Sequence, residues 1–456
     1  MLTAPRIDDP TAPRSSAAVE AGLERATMRR VSLRVLPLLF VAYICAHLDR
    51  TNLGFAALQM NRDLGFSPAV YGLGAGIFFL GYGLFELPSN LILARVGARR
   101  WIPRIMITWG LIAAGMMFAH TPTSFYVLRF LLGVAEAGFF PGVVFYLTAW
   151  FPATYRAQAV SRFMLALYAS AILSGWLAGP LLGLDGRLGL AGWKWLFLLE
   201  GLPSVVLGVA MLALLTDGPE KASWLPPQER EWLQQRLRRE QEECSTSHGA
   251  SLRGALLNPR LWQLGYIWAV FFCCANAYTF WAPQLIRNLF HWTAGRTGNA
   301  MAVISLVGAV ALLLSGAHSD KVGERWLHVA APLLAVGAAW LIVSAAISPT
   351  LSLLGLALVY TSFSCLYGPF WCLPSQFLTG DAAAGGLALV SSIGAAGAFA
   401  GPNIVGVTQQ MTGNPHAGYW ALALLALSGA AMTFYLRQMD AASSRSPTIR
   451  SVRVAK

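Results

Sequence analysis

The sequence predicts an all-α membrane protein of twelve transmembrane helices arranged as two six-helix bundles. Three observations carry this. Hydrophobic residues make up 56% of the 456 positions and charged residues 12%, where a soluble domain carries about 25% charged. Apolar runs long enough to cross a bilayer, about 20 residues each, recur too closely to leave room for a separate water-soluble core. A single polar stretch, residues 217–259, divides six such runs from six more.

In chain order, residues 1–34 are polar and contain Pro and Arg. They lack the apolar core and small-residue cleavage site of a signal peptide, so they read as a cytoplasmic tail ahead of an uncleaved first span. The first bundle, 35–216, holds runs at about 35–58, 69–94, 101–119, 124–150, 157–183 and 193–216. Residues 217–259 form a cytoplasmic central loop with an amphipathic helix near Pro227 to Glu243. The second bundle, 260–437, has runs at about 260–288, 297–316, 326–346, 350–378, 385–411 and 416–437, and 438–456 is a cytoplasmic tail.

Orientation follows from Lys and Arg, which accumulate on the cytoplasmic side. With both termini cytoplasmic, 26 of the 33 basic residues fall inside. Only Arg62, Arg187, Lys194, Arg287 and Arg296 fall outside, and Arg50 and Arg129 lie within the membrane. The net charge of +12 is therefore a topology signal, and a nucleic-acid partner is not expected. Five of six cysteines sit in apolar runs without metal-ligand spacing, as buried small side chains do.

The halves echo one another. Asn90 to Arg100 after span 2 and Gly316 to Arg325 after span 8 carry one basic loop motif at equivalent places. Parallel six-helix repeats of this kind hold a substrate between them near the midplane.

An ionisable group at the helix centre costs about 2.5–3.5 kcal/mol on insertion scales, so each one needs a partner or a task. The candidates are Asp49, Arg50, Glu86, Arg129, Glu136 and Glu200, all in the first half. Arg129 and Glu136, seven residues apart, occupy one helix face about 10 Å apart along the axis and are expected to look into one cavity. Asp49 and Arg50 diverge by about 100° around span 1, so at most one points at the central axis. With both carboxylates ionised the four charges cancel, and a bound anion tips the balance negative. A proton restores it, so anion binding and protonation of Asp49 or Glu136 should favour each other. Structural ion pairing between spans 1 and 4 is the alternative. Glu86, beside the basic loop with Arg95 and Arg99, reads as a gate or helix-end salt bridge, and Glu200 as structural.

Span 7 offers Asn276, Tyr278, Thr279, Trp281 and Gln284, and span 10 offers Tyr367, Trp371 and Ser375 among Gly368, Pro369 and Pro374. These could surround a ligand, although interfacial anchoring is the usual role of membrane Trp and Tyr. The small residues of span 11, Ser391 to Pro402, suit close helix packing. No phosphate-binding loop, paired zinc histidines or nucleophile elbow occurs, which disfavours an enzyme, a bound metal or cofactor, and ATP-driven pumping.

The blocks His47-Leu-Asp49-Arg50-Thr-Asn52, Gly81-Tyr82-Gly-Leu-Phe-Glu86-Leu-Pro88 and Leu128-Arg129 through Glu136 to Pro141-Gly together resemble the anion:cation symporter branch of the major facilitator superfamily. The likeness runs on through Trp195 to Pro203, Phe280 to Gln284 and Gly368 to Ser375. It implies a monomeric inner-membrane carrier driven by the proton gradient, taking up a small organic anion such as a sugar acid, tartrate or an aromatic carboxylate. It further implies proton titration at Asp49 and Glu136, substrate binding or coupling at Arg50 and Arg129, and a cavity tyrosine at Tyr82. Gating falls to Glu86, Arg95, Arg99, Asp320, Lys321 and Arg325. Two departures stand out. Many relatives carry Asn in span 11 where this chain has Ser391 and Ala395, which weakens hydroxyl recognition. Ala94 replaces the usual Asp of the first loop motif, leaving the inner gate to Asp320. Proton-driven export of a drug or metabolite and a transporter-like sensor are the competing readings.

Overall fold

The computed structural model describes residues 14–245, 258–374 and 381–445. Twelve helices among them are long and apolar enough to cross a membrane. Spans 1 to 3 are the helices Arg14–Asp63, Pro68–Val96 and Ala98–Gly115. Span 4 is split into Pro122–Glu136 and Phe139–Thr148, and spans 5 and 6 are Ala153–Leu182 and Gly192–Leu214. Spans 7 to 12 are Pro259–Phe290, Ala294–Val322, Leu327–Ala345, Pro349–Trp371, Asp381–Thr412 and His416–Arg445.

Local chemistry sets many of the boundaries. Ser67, Thr121, Asn258 and Ser348 cap the N-termini of spans 2, 4, 7 and 10, each with Pro next. The side-chain oxygen takes up an orphan backbone N–H, and Pro supplies the first helical φ without wasting a donor. The two echoing loops end their helices alike, at Gly97 with φ +90° and Gly323 with φ +70°, where a side chain would be strained.

Three boundaries differ from expectation. The first helix starts at Arg14 instead of about 35, and Met28 and Val31 are buried on it. The helix Pro227–Ser245 packs there, burying Leu233 and pairing Glu229 with Arg30 at 3.2 Å. What read as a free tail and loop helix thus brace the first bundle. Span 10 ends at Trp371, short of 378. Span 4 breaks at Ala137–Gly138, where Gly138 adopts φ +84° and a Cβ would come within 2.4 Å of the Ser89 hydroxyl.

Within the first half, spans 1, 5 and 6, spans 3 and 6, and spans 2 and 4 pack together. Spans 7 and 11, 9 and 12, 9 and 10, and 8 and 10 do so in the second. The small residues of span 11 serve packing: a Cβ on Gly397 or Gly401 would lie 2.0 Å from the carbonyl oxygen of Ala269 or Cys273 on span 7. Between halves, span 2 meets span 11, span 5 meets span 8, and span 1 meets span 7. These meetings lie toward the end away from the termini. There Tyr71 donates to the Phe280 carbonyl at 2.7 Å, Arg287 to that of Leu58 at 2.7 Å, and Ser67 to Gln410 at 2.8 Å. Gly175 and Gly298 touch backbone to backbone at the same level.

Candidate functional site: a central cavity between the halves

The two halves enclose a cavity of about 280 Å³, lined from spans 1, 2, 4 and 5 and from spans 7, 10 and 11. The interlocked layer just described closes it on the side away from the termini. Its wall continues toward the terminal side through Glu86, Trp371 and Ser391. Among the described residues the lining thus extends toward the side where span 1 begins and span 12 ends.

Arg50 is the arginine of the cavity wall. Its Nε donates to Glu136 Oε1 at 2.6 Å, and Glu136 is fully buried. The guanidinium lies 4.8 Å from the Tyr82 ring centroid and 5.5 Å from that of Phe78, a cation–π setting that holds the charge away from bulk water. Arg50 Nη2 and Glu136 Oε2 have no hydrogen-bond partner among the described residues. The break in span 4 places Glu136 at a helix C-terminus, where backbone carbonyls disfavour negative charge. The Arg50 contact offsets that. Nε is thus committed to Glu136 and Nη2 is buried, while the side chain as a whole is 22% exposed on the wall.

Asp49 points the other way, as helical divergence requires. Its Oδ2 accepts from Trp109 Nε1 at 3.0 Å and Ser204 Oγ at 2.9 Å, tying span 1 to spans 3 and 6, while Oδ1 has no partner among the described residues. Glu200 is 3% exposed with both oxygens unpartnered among the described residues, and Asp49 is one of its electrostatic neighbours.

Arg129 is fully buried but does not line the cavity, contrary to expectation. Its Nε donates to the Gly74 carbonyl at 3.2 Å, and the guanidinium sits 5.1 Å from the Phe78 ring and 5.9 Å from the Phe280 ring. Seven residues nearer the closed end, it belongs to the seal. Trp281 and Gln284 are displaced for the same reason: Trp281 donates to the Pro402 carbonyl at 3.2 Å, and Gln284 accepts from Asn61 at 3.4 Å. Tyr82, Asn276, Tyr278, Trp371 and Ser391 do line the cavity, and Ser375 lies outside the described residues.

The gating residues do not join the halves. Glu86 lines the cavity and forms no ion pair among the described residues. Asp320 pairs with Arg325 at 2.7 Å inside its own loop, which also binds Ser319, and Lys321 is exposed. Arg95 is exposed, while Arg99 donates through its backbone to Asp217 Oδ1 at 3.0 Å. Asp217, just after span 6, thus holds the start of span 3 and pairs with Lys221 at 3.2 Å, both within the first half. Tyr367 lines the cavity as well, while sequence reasoning missed Tyr43, His47, Phe79, Trp268 and Phe272 on the wall. Trp268, Phe272, Ala275, Asn276 and Thr279 form one stripe at helical spacing, a signal legible in the sequence.

The Major Facilitator Superfamily profile matches residues 39–402. A candidate tartrate transporter of Agrobacterium vitis is 46% identical over 92% of this chain and 96% of its own. A quinolone resistance transporter of Acinetobacter baumannii is 38% identical over 90% and 95%. The candidate metabolite transport protein NicT of Pseudomonas putida is 41% identical over 88% and 92%. Among solved structures, a bacterial homologue of the human lysosomal transporter Spinster, inward-facing and occupied, superposes with a TM-score of 0.72 at 17% identity, covering 89% of this chain and 96% of that one.

Proposed function

This chain belongs to the Major Facilitator Superfamily of membrane transporters, and on that footing we propose that it carries a small organic anion across the cell inner membrane in symport with protons, by alternating access. The observation that carries the reading is Arg50, with one donor on the buried Glu136 and a side chain 22% exposed on the cavity wall. A carboxylate entering the cavity competes with Glu136 for the guanidinium. A buried carboxylate stripped of its partner costs about 3–5 kcal/mol, and a proton removes that cost. Anion and proton therefore load together. Asp49, next to Arg50 on span 1, is a second proton acceptor, its carboxyl held by Trp109 and Ser204. One chain supplies every wall of the cavity, so a monomer suffices. The positive-inside count favours cytoplasmic termini.

The test is proteoliposomes loaded with a pH-sensitive dye. Adding an organic anion outside should acidify the lumen, and binding of the anion with no proton movement at any pH would refute symport. A second reading, export, is favoured by the quinolone resistance relative. Net flux under an imposed pH gradient separates the two.

A further inference from the structure

We propose that the second half binds an anionic phospholipid on its flank, with the headgroup on Arg296 and one acyl chain in a groove between spans 8 and 10. The site shares no residue with the central cavity.

Spans 8 and 10 both start at the end away from the termini, at Ala294 and Pro349, and pack against each other. Just inside that end they leave a groove of about 630 Å³ lined by Ala300, Val303, Ile304, Leu353, Leu354 and Ala357. Val303 and Leu354 are each 61% exposed, so the groove opens outward, toward lipid. From Arg296 to Ile304 it follows span 8 for eight residues, about 12 Å of helix, which is room for the upper part of an acyl chain. No water reaches an apolar groove within the hydrocarbon layer, so a lipid chain fills it. Trp292, stacked on Phe290 with centroids 4.4 Å apart, sits beside Arg296 at the level where membrane aromatics gather.

An acyl chain gains little by leaving neighbouring lipid for the groove, because the two are equally apolar. Selection therefore falls to the headgroup. Arg296 lies in the first turn of span 8, is exposed, and pairs with no carboxylate among the described residues. Its own half offers it none at that end. Between residues 258 and 374 the acids are Asp320 and Glu324, at the other end of span 8, and Asp381 and Asp440 lie at the terminal-side ends of spans 11 and 12. At the same end of the first half, Asp63 pairs with Arg62 at 3.3 Å and Asp185 accepts from the Gly192 N–H at 2.8 Å. The anion that a bilayer presents at this level is a phosphodiester, which matches the planar guanidinium fork. Asn299, one turn deeper on the groove, adds an amide for the ester oxygens. Phosphatidylglycerol keeps its negative charge, whereas the choline of phosphatidylcholine cancels it.

Native mass spectrometry of the purified full chain, offered phosphatidylglycerol and phosphatidylcholine in equal amounts with identical acyl chains, tests this. The wild-type protein should prefer phosphatidylglycerol, and Arg296→Gln should lower that preference by about fivefold for one bound lipid, the effect of one arginine at a lipid surface. Lys194→Gln removes a basic residue at the same end but outside the groove, and should leave the preference as it was. Ala357→Phe fills the groove and should release that lipid although Arg296 stays. An unchanged preference in Arg296→Gln, an equal loss in Lys194→Gln, or full retention in Ala357→Phe would overturn the assignment.

Discussion

Gly298 is the point at which one methyl group should move the whole protein. A Cβ on Gly298 would lie 2.0 Å from the carbonyl oxygen of Gly175 across the two halves, and a Cβ on Gly175 would lie 2.4 Å from that of Gly298. Ordinary contact begins at 3.4 Å, so the Gly298→Ala variant requires spans 5 and 8 to part by about 1.4 Å. Overpacking of this kind costs about 1–3 kcal/mol. The cost falls on the state closed away from the termini, because the halves part there in the other state. The equilibrium should then shift by about 5- to 150-fold toward opening on that side. The assay is labelling of a single cysteine at Gln284, inside the seal, by an impermeant maleimide added from the side away from the termini, in a background without native cysteines. Gly316→Ala, where a Cβ meets nothing within 4 Å, is the control and should label at the original rate. Unchanged labelling in a folded Gly298→Ala protein would refute the assignment of this layer as the seal.

Three further outcomes follow from the cavity. Arg50→Ala should abolish anion binding and lower thermal stability by about 3–5 kcal/mol, and adding Glu136→Gln should restore the stability without the binding; thermal unfolding and ligand titration read both. Arg129→Ala should leave anion binding largely intact while slowing transport, because this side chain packs at the level of the seal against Phe280 of the other half and does not line the cavity; loss of binding equal to that of Arg50→Ala would return it to the substrate site. Asp49→Asn should spare anion exchange and end accumulation driven by a pH gradient, and normal accumulation would remove Asp49 from the proton path.

Hydropathy carried the span count and the six-plus-six division, because burial in lipid demands apolar length and little else. Helical periodicity placed Asp49 and Arg50 on different faces, and the structure separates them so. The failures share a cause: periodicity gives direction around a helix but not depth along the membrane, nor which end is shut. Arg129, Trp281 and Gln284 all face inward yet sit at the level where the halves meet. Asp217 escaped notice because it reaches Arg99 from a segment far away in sequence. The aromatic wall was legible as a stripe on span 7. Reading membrane aromatics one residue at a time hides the common face of Trp268 and Phe272. The break after Glu136 was signalled by Gly138 but not its consequence, a carboxylate at a helix end that leans on Arg50.

The central claim is that a bound anion and Glu136 compete for one guanidinium, with a proton settling the contest. Affinity for the anion measured between pH 6 and 8 tests it most directly. Binding should tighten as the pH falls, approaching about tenfold per pH unit where one proton is taken up per anion, and should become insensitive to pH in Glu136→Gln. Wild-type affinity indifferent to pH, or an undiminished slope in Glu136→Gln, would contradict it.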